Sequence, residues 1–259
     1  MNLNYLFYKD YFNEEWPNLG ERKKGSHDAI LSAIVKETDD ELEFTSPKTS
    51  FGLDAKSFQL KTVYPGLLIG LGYSHDPVKI KKDVQNNEQI TKDTEAIQLG
   101  FSLDYTTGLP IIPGSTVKGV IKSGLRNYYF DEEEYKKKYQ KCFGTKEKQG
   151  RVVFLDAVPI KSKYTNKLFS EEFITPHGKD PNGEEDPLKS PNPLRLLKVI
   201  PDVVYCFRFL NIAEAELDLF KDIITTLGIG AKTNVGFGIM EAVDEIDPTW
   251  LKIEISDPE

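Results

Sequence analysis

Cysteine is nearly missing from this chain of 259 residues: Cys142 and Cys206 stand far apart and belong to no CxxC pair. Neither a disulfide framework nor a zinc site is implied, and the compartment expected is a reducing one. Histidine is equally scarce. His27, His75 and His177 are the whole supply, and no spacing brings two of them together. Long apolar runs are lacking as well: MNLNYLFYKDYFNEEW at the start has no basic leader or long apolar core, and the run near Val203 is broken by Asp202 and Arg208. The expectation is a soluble, cytoplasmic protein with no membrane partner. Positive charge is in deficit, 33 basic against 41 acidic residues for a net of -8. On its face that balance opposes non-specific binding to nucleic acid.

Net charge hides a distribution. Lys118 to Arg151 carries ten lysines and arginines against five acids, whereas Glu241 to Glu259 carries seven acids and one lysine. What the chain does have is a glycine-rich stretch, GIGAKTNVGFG, from Gly228 to Gly238. Its four glycines permit positive φ and close approach to a ligand, while Lys232, Thr233 and Asn234 bring a charge and donors. A nucleotide P-loop is excluded because Ala231 and Thr226 stand where glycines belong. The dinucleotide fingerprint fails at Thr233. Two readings stay open on residue chemistry: a tight helix-to-strand connection with a glycine cap, and a loop lying on a nucleic-acid backbone.

In chain order, residues 1–50 read as an N-terminal appendage and 51–244 as a core, with polar insertions near 74–94 and 161–193, the latter loop-like. Residues 245–259 form an acidic C-terminal segment, and the whole reads as one domain. Phe58 to Tyr64 alternates as a strand with Phe58 and Leu60 inward; Ile97 to Asp104, Arg151 to Ala157 and Ile239 to Val243 are strand-like too. Arg195 to Leu210 is a strand pair or one bent strand broken at Pro201-Asp202, and Glu214 to Leu227 is an amphipathic helix stopped by Gly228. A helix opens after Pro113-Gly114 with Ser115 as the expected N-cap and Val117, Val120, Ile121, Leu125 and Tyr128 on its apolar face. Lys118, Lys122 and Arg126, four residues apart, make a basic stripe starting at a helix end whose N–H groups favour anions. An ordinary solvated face is the bland alternative. Strand, helix, strand, strand, helix, strand is the order of an α+β, ferredoxin-like (RRM-like) split βαβ core.

At these residues the chain resembles a known family. GLPIIPGSTVKGVIKSGLR at 108–126 is similar to the Gly-Leu-Pro-x-Ile-Pro-Gly-Ser-Ser-Leu-Lys-Gly signature of the RAMP superfamily, and GIGAKTNVGFG to its C-terminal glycine-rich loop. LLIGLGYSHDP at 67–77, FG with GRVVFLDAVP at 143–159, and ITPH at 174–177 followed by NPLRLLKV fit in the same order. Thr116-Val117, Phe237 and Gly178 depart from the pattern. Within the superfamily, the loop, the ITPH segment and the length are most similar to the sixth-subunit family of the type III-B CRISPR (Cmr) effector complexes.

That resemblance implies an RNA-binding scaffold subunit without a catalytic role or cofactor. Its implied partners are crRNA, target RNA and neighbouring RAMP subunits, near the filament end away from the crRNA tag. The residues expected to grip RNA are Gly114, Ser115, Thr116, Lys118, Lys122 and Arg126 around the first helix, and Gly230, Ala231, Lys232, Thr233 and Asn234 in the loop. The grip requires the two bends to meet beside one sheet. A metal-independent endoribonuclease processing CRISPR RNA is the rival reading; it needs an acid and a base about a 2′-hydroxyl. A third reading is pure protein docking through the acidic tail and Phe7, Tyr8, Tyr11, Phe12 and Trp16, residues that equally suit a core.

Overall fold

A computed structural model describes residues 55–69, 78–82, 88–92, 102–105, 107–163, 168–174 and 194–243. The N-terminal appendage, the acidic segment 245–259 and all three histidines lie outside the described residues. The architecture is mixed α and β with antiparallel sheets.

Strand β1 (Ala55–Thr62) places Phe58, Leu60 and Thr62 on the buried side, as its alternation demands. Pro65 follows three residues after it. Thr62, the buried polar member, donates to the Ile200 carbonyl at 2.9 Å and accepts the Val203 N–H at 3.0 Å. The lysine-bearing reach after Ser74 contains a hairpin, β2 (Val78–Lys82) paired with β3 (Glu88–Lys92). Of the strand expected at 97–104, residues 97–101 lie outside the described set, and Leu103 forms an isolated bridge to Pro110.

Helix α1 (Gly114–Gly124) is the one the pattern announces, but two details differ. Pro113 is its N-cap, and no side chain of its own caps it. The helix also loosens into a π turn (Leu125–Tyr129), in which Phe130 N–H reaches back five residues to the Leu125 carbonyl at 2.9 Å. The wider turn rotates Tyr128 off the apolar face expected of it and leaves it 72% exposed. Short helices α2 (Glu132–Lys138) and α3 (Gln140–Phe143) follow; Asp131 caps the first by accepting the Glu134 N–H at 2.8 Å.

The expected strand at 151–157 is interrupted. Strand β4 (Val153–Phe154) and β5 (Val158–Ser162) both pair with β8, and between them Ala157 exchanges both backbone hydrogen bonds with Ile112. Asp156 is thereby exposed next to the start of α1. The region 161–193, expected as loop, holds the end of β5 and β6 (Phe169–Ile174), which pairs with β7 (Leu194–Val199) in a separate two-stranded sheet. After Asp202, in the left-handed region at φ 64, β8 (Val203–Leu210) enters the main sheet. Helix α4 (Glu214–Leu227) ends at Gly228 as expected, and β9 (Met240–Ala242) closes the sheet.

The main sheet runs β4-β8-β1-β9, with β5 also on β8, every pair antiparallel. Phe58 stacks on Phe207, and Phe209, Phe154, Phe220 and Phe143 continue the ring cluster with centroids 5.4–5.9 Å apart. Each buried phenylalanine contributes about 2–3 kcal/mol. Helix α1 meets α4 at Gly124, where Ile223 and Leu227 pack so closely that a Cβ has no room. Both helices share one core with the inward face of the sheet. Among the described residues, no helix is long and apolar enough to cross a membrane.

Candidate nucleic-acid interface

The glycine loop is built as a platform with an exposed crown. Ile229 donates to the Gly238 carbonyl at 2.9 Å, which closes the loop at its base. Gly238 in turn donates to the Gly66 carbonyl at 2.8 Å, and Ala231 to the Leu68 carbonyl at 2.7 Å. These bonds tie the loop to the chain leaving β1. Gly230, at φ 102, lies directly on the Leu68 carbonyl, and Gly238, at φ 74, on the Ile229 carbonyl. A side chain at either position meets backbone that cannot move aside. Beneath the platform, Phe237, Leu68 and Leu196 form a second small core, against which Ala231 and Ile174 pack.

Lys232 is left-handed at φ 59 without being glycine, and its carbonyl takes the Val235 and Phe237 N–H groups at 3.1 and 3.3 Å. A single 3₁₀ turn (Thr233–Val235) results. Lys232, Asn234 and Val235 are exposed at its top, with Thr233 half-buried. Gly230 and Ala231, both half-buried, serve as anchors beneath this crown. The local pattern is thus a backbone already bonded below and a cation, an amide and a hydroxyl presented above.

The start of α1 is different. Gly114 is buried against the Phe154 carbonyl, and its N–H is donated to Asp156 Oδ1 at 2.7 Å. Thr116 and Val117 donate to the Pro113 carbonyl. The helix end expected to receive phosphate therefore already faces a carboxylate, and the expected Ser115 cap is replaced by Asp156 from the β4–β5 break. Ser115 is exposed and Thr116 half-buried. In sequence, Asp156 showed no signal, because only the interruption of the strand turns it toward the helix.

The basic stripe divides. Lys118 is half-buried with its ammonium 5.9 Å from the centroid of the Phe154 ring, and Lys122 is half-buried beside it on the helix flank. Arg126 bonds Glu132 through Nε at 3.2 Å and Nη2 at 2.9 Å, and lies 5.5 Å from the centroid of the Tyr135 ring. The arginine's hydrogen bond holds the Glu132 carboxyl below its ordinary value. Arg126 is thus paired within the chain while its side chain stays 44% exposed.

The two bends have different anchors. The start of α1 is bound to the β4 flank of the sheet, and the glycine loop is bound past the end of β1 beside β9, where Val63 donates to the Ile239 carbonyl at 3.1 Å. In the main sheet, β8 and β1 lie between β4 and β9. The far end of α1 packs on the last turn of α4, through Gly124 on Leu227. Sequence reasoning also passed over Tyr64, which is 78% exposed beside Pro65, because its alternation assigned it to β1. Among the described residues no group of histidine, cysteine and carboxylate side chains is arranged to hold a metal.

A sheet of this order, tied to a C-terminal glycine loop, defines the class. The family model of the RAMP superfamily matches residues 59–241, and the chain belongs to that superfamily. Within it, the chain is similar to the sixth Cmr subunit. It is 34% identical over 148 residues to the CRISPR system CMR subunit Cmr6 of Saccharolobus solfataricus, covering 55% of this chain and 48% of that protein. It is 33% identical over 110 residues to Cmr6 of Pyrococcus furiosus, covering 38% and 32%. The chain therefore spans half or less of the length of these relatives. Among solved structures it superposes on a chain of the type III-B Cmr-beta complex bound to cognate target RNA, with a TM-score of 0.51 and 26% identity, over 77% of this chain and 61% of that one.

Proposed function

We propose that this chain is a non-catalytic, RNA-binding scaffold subunit of a type III-B CRISPR effector complex. It contacts the crRNA 3′ region or the guide–target duplex and docks on neighbouring RAMP subunits. The single observation that carries the reading is the crown of the glycine loop: Lys232 and Asn234 stand exposed on a turn whose supporting backbone is already hydrogen-bonded below. Such a turn presents a cation and an amide at a fixed spacing without reorganisation, which suits sequence-independent contact with phosphate and 2′-hydroxyl oxygens. Similarity to Cmr6 proteins and to a chain of an RNA-bound Cmr complex supports the same conclusion.

The strand order β9-β1-β8-β5, antiparallel throughout, supports a ferredoxin-like core with the loop leading into its last strand. Of the residues expected to grip RNA, the reading now rests on Lys232, Thr233 and Asn234, with Gly230 and Ala231 as their support. Lys122, on the flank of α1, joins Ser115, Thr116 and Lys118 in a separate, weaker contact. The test is an anisotropy titration of single-stranded and guide–target duplex RNA against the chain and its Lys232→Ala/Asn234→Ala variant. A loss of about tenfold is expected for the variant, with a single-strand salt slope shallower by about 0.7. Unchanged affinity and slope remove the reading. Incubation with repeat RNA and with a target, with and without Mg²⁺, is expected to leave both intact.

A further inference from the structure

We infer that Tyr64 is a base-stacking residue for single-stranded RNA, placed beside the glycine loop so that one nucleotide is held by its base while the crown holds the backbone. The inference rests on the RNA-binding reading above and adds a contact that the loop itself does not supply. Tyr64 is 78% exposed, yet its ring is supported from one side: the Lys198 ammonium lies 5.9 Å from the ring centroid. Lys198 is only 7% exposed and is held by Glu172 Oε2 at 2.6 Å, so this support is fixed in place. The rest of the ring faces solvent.

Its position follows from the loop's anchorage. The next residue, Pro65, packs at the end of the crown turn, since a Cβ on Gly236 stands 3.6 Å from Pro65 Cδ. The residue after that, Gly66, accepts the Gly238 N–H. The backbone carrying Tyr64 and the loop carrying Lys232 are therefore tied together beside β9, the edge strand of the main sheet. Proteins that hold single strands combine cations and amides on the backbone with an aromatic face for a base, and this edge has both.

A protein partner is the other occupant an exposed ring suits, and the surroundings argue against it. Around the end of β1, Lys61 pairs with Asp202 at 3.6 Å and with Glu241 at 3.7 Å, Lys163 with Asp202 at 3.9 Å, and Lys198 with Glu172. Interface centres are depleted of such charges. A ring with a held ammonium over one face and its other face open is matched to a planar base.

The test uses the full chain and a single-stranded RNA carrying 2-aminopurine, with Tyr64→Ala, Tyr64→Leu and Tyr64→Phe compared with Lys232→Ala. Stacking predicts that Tyr64→Ala and Tyr64→Leu each weaken binding about tenfold and abolish the fluorescence quench, while Tyr64→Phe retains both. Their salt slope stays at the wild-type value, because no ionic contact is removed, whereas Lys232→Ala makes it shallower. If Lys232→Ala weakens binding and the three Tyr64 variants bind and quench like wild type, stacking is overturned and the RNA-binding reading stands. If wild type binds no RNA, both are overturned. Loss of a copurifying protein in Tyr64→Ala, with RNA affinity intact, assigns the ring to a protein contact instead.

Discussion

Asp156 accepts the N–H of Gly114 at 2.7 Å, so a carboxylate from the sheet occupies the helix end that a phosphate would otherwise find. Removing it with Asp156→Ala is expected to destabilise the fold by about 1 kcal/mol, a fall in Tm of about 2–4 °C, by exposing the first turn of α1 uncapped. RNA affinity is not expected to fall, since the variant loses a negative charge. Thermal unfolding and an anisotropy titration check the two halves, and a tenfold loss of affinity contradicts the assignment of Asp156 as a structural cap.

Glycine substitutions separate backbone strain from helix propensity. Gly238→Ala forces a Cβ onto the Ile229 carbonyl at a residue with φ 74, and is expected to cost more than about 2 kcal/mol or to detach the loop from Gly66. Gly119→Ala, in α1, meets open space and is expected to stabilise by about 0.5–1 kcal/mol. Denaturant unfolding of the two variants is expected to shift in opposite directions.

Arg126 and Glu132 form a pair in which both side chains are nearly half exposed, at 44% and 48%. Arg126→Ala is therefore expected to leave stability little changed and the RNA salt slope unaltered. A slope reduced as much as in Lys232→Ala identifies Arg126 as a phosphate contact that leaves Glu132 on binding.

Cys142 is 1% exposed, lies 3.2 Å from Glu216 Oε1, and has its thiol pushed up to about 11, first by burial and then by the hydrogen bond to Glu216. Burial also pushes the Glu216 carboxyl up, but Arg151, the Ala213 N–H and the thiol together hold it below its ordinary value. In the native protein at pH 8, Cys142 is expected to resist a maleimide reagent and to react fully once unfolded. Peptide mass spectrometry distinguishes it from Cys206.

Glu172 has its carboxyl held below the ordinary 4.5, first by the Lys198 hydrogen bond. The unfolded chain therefore binds the proton more readily, so this stabilisation is complete above about 4.5 and is lost as pH falls through the lower folded value. Glu172→Gln is expected to cost about 1–2 kcal/mol at pH 7, because the lysine is nearly buried and its partner only partly so. The difference from wild type shrinks as the pH is taken below 4.5. Denaturant unfolding across pH 3–7 measures it, and a constant difference contradicts the linkage.

The alternation of FQLKTVY and the apolar spacing of Glu214 to Leu227 were enough to place β1 and α4, because each pattern matches only one backbone period. GIGAKTNVGFG marked a glycine loop after a helix for the same local reason: positive φ is a property of the residue. The motifs likewise carried the superfamily. What the sequence alone could not determine is which polar groups the folded chain spends on itself. Arg126 and Lys118 read as a free stripe until Glu132 and the Phe154 ring are brought beside them. Asp156 reads as a strand residue until Ala157 bonds to Ile112 instead of to β8. Tyr64 reads as part of β1 until that strand ends at Thr62. Each outcome depends on contacts between segments remote in the chain, where packing and hydrogen bonding at close range override local preference, and such contacts exist only once the sheet has assembled.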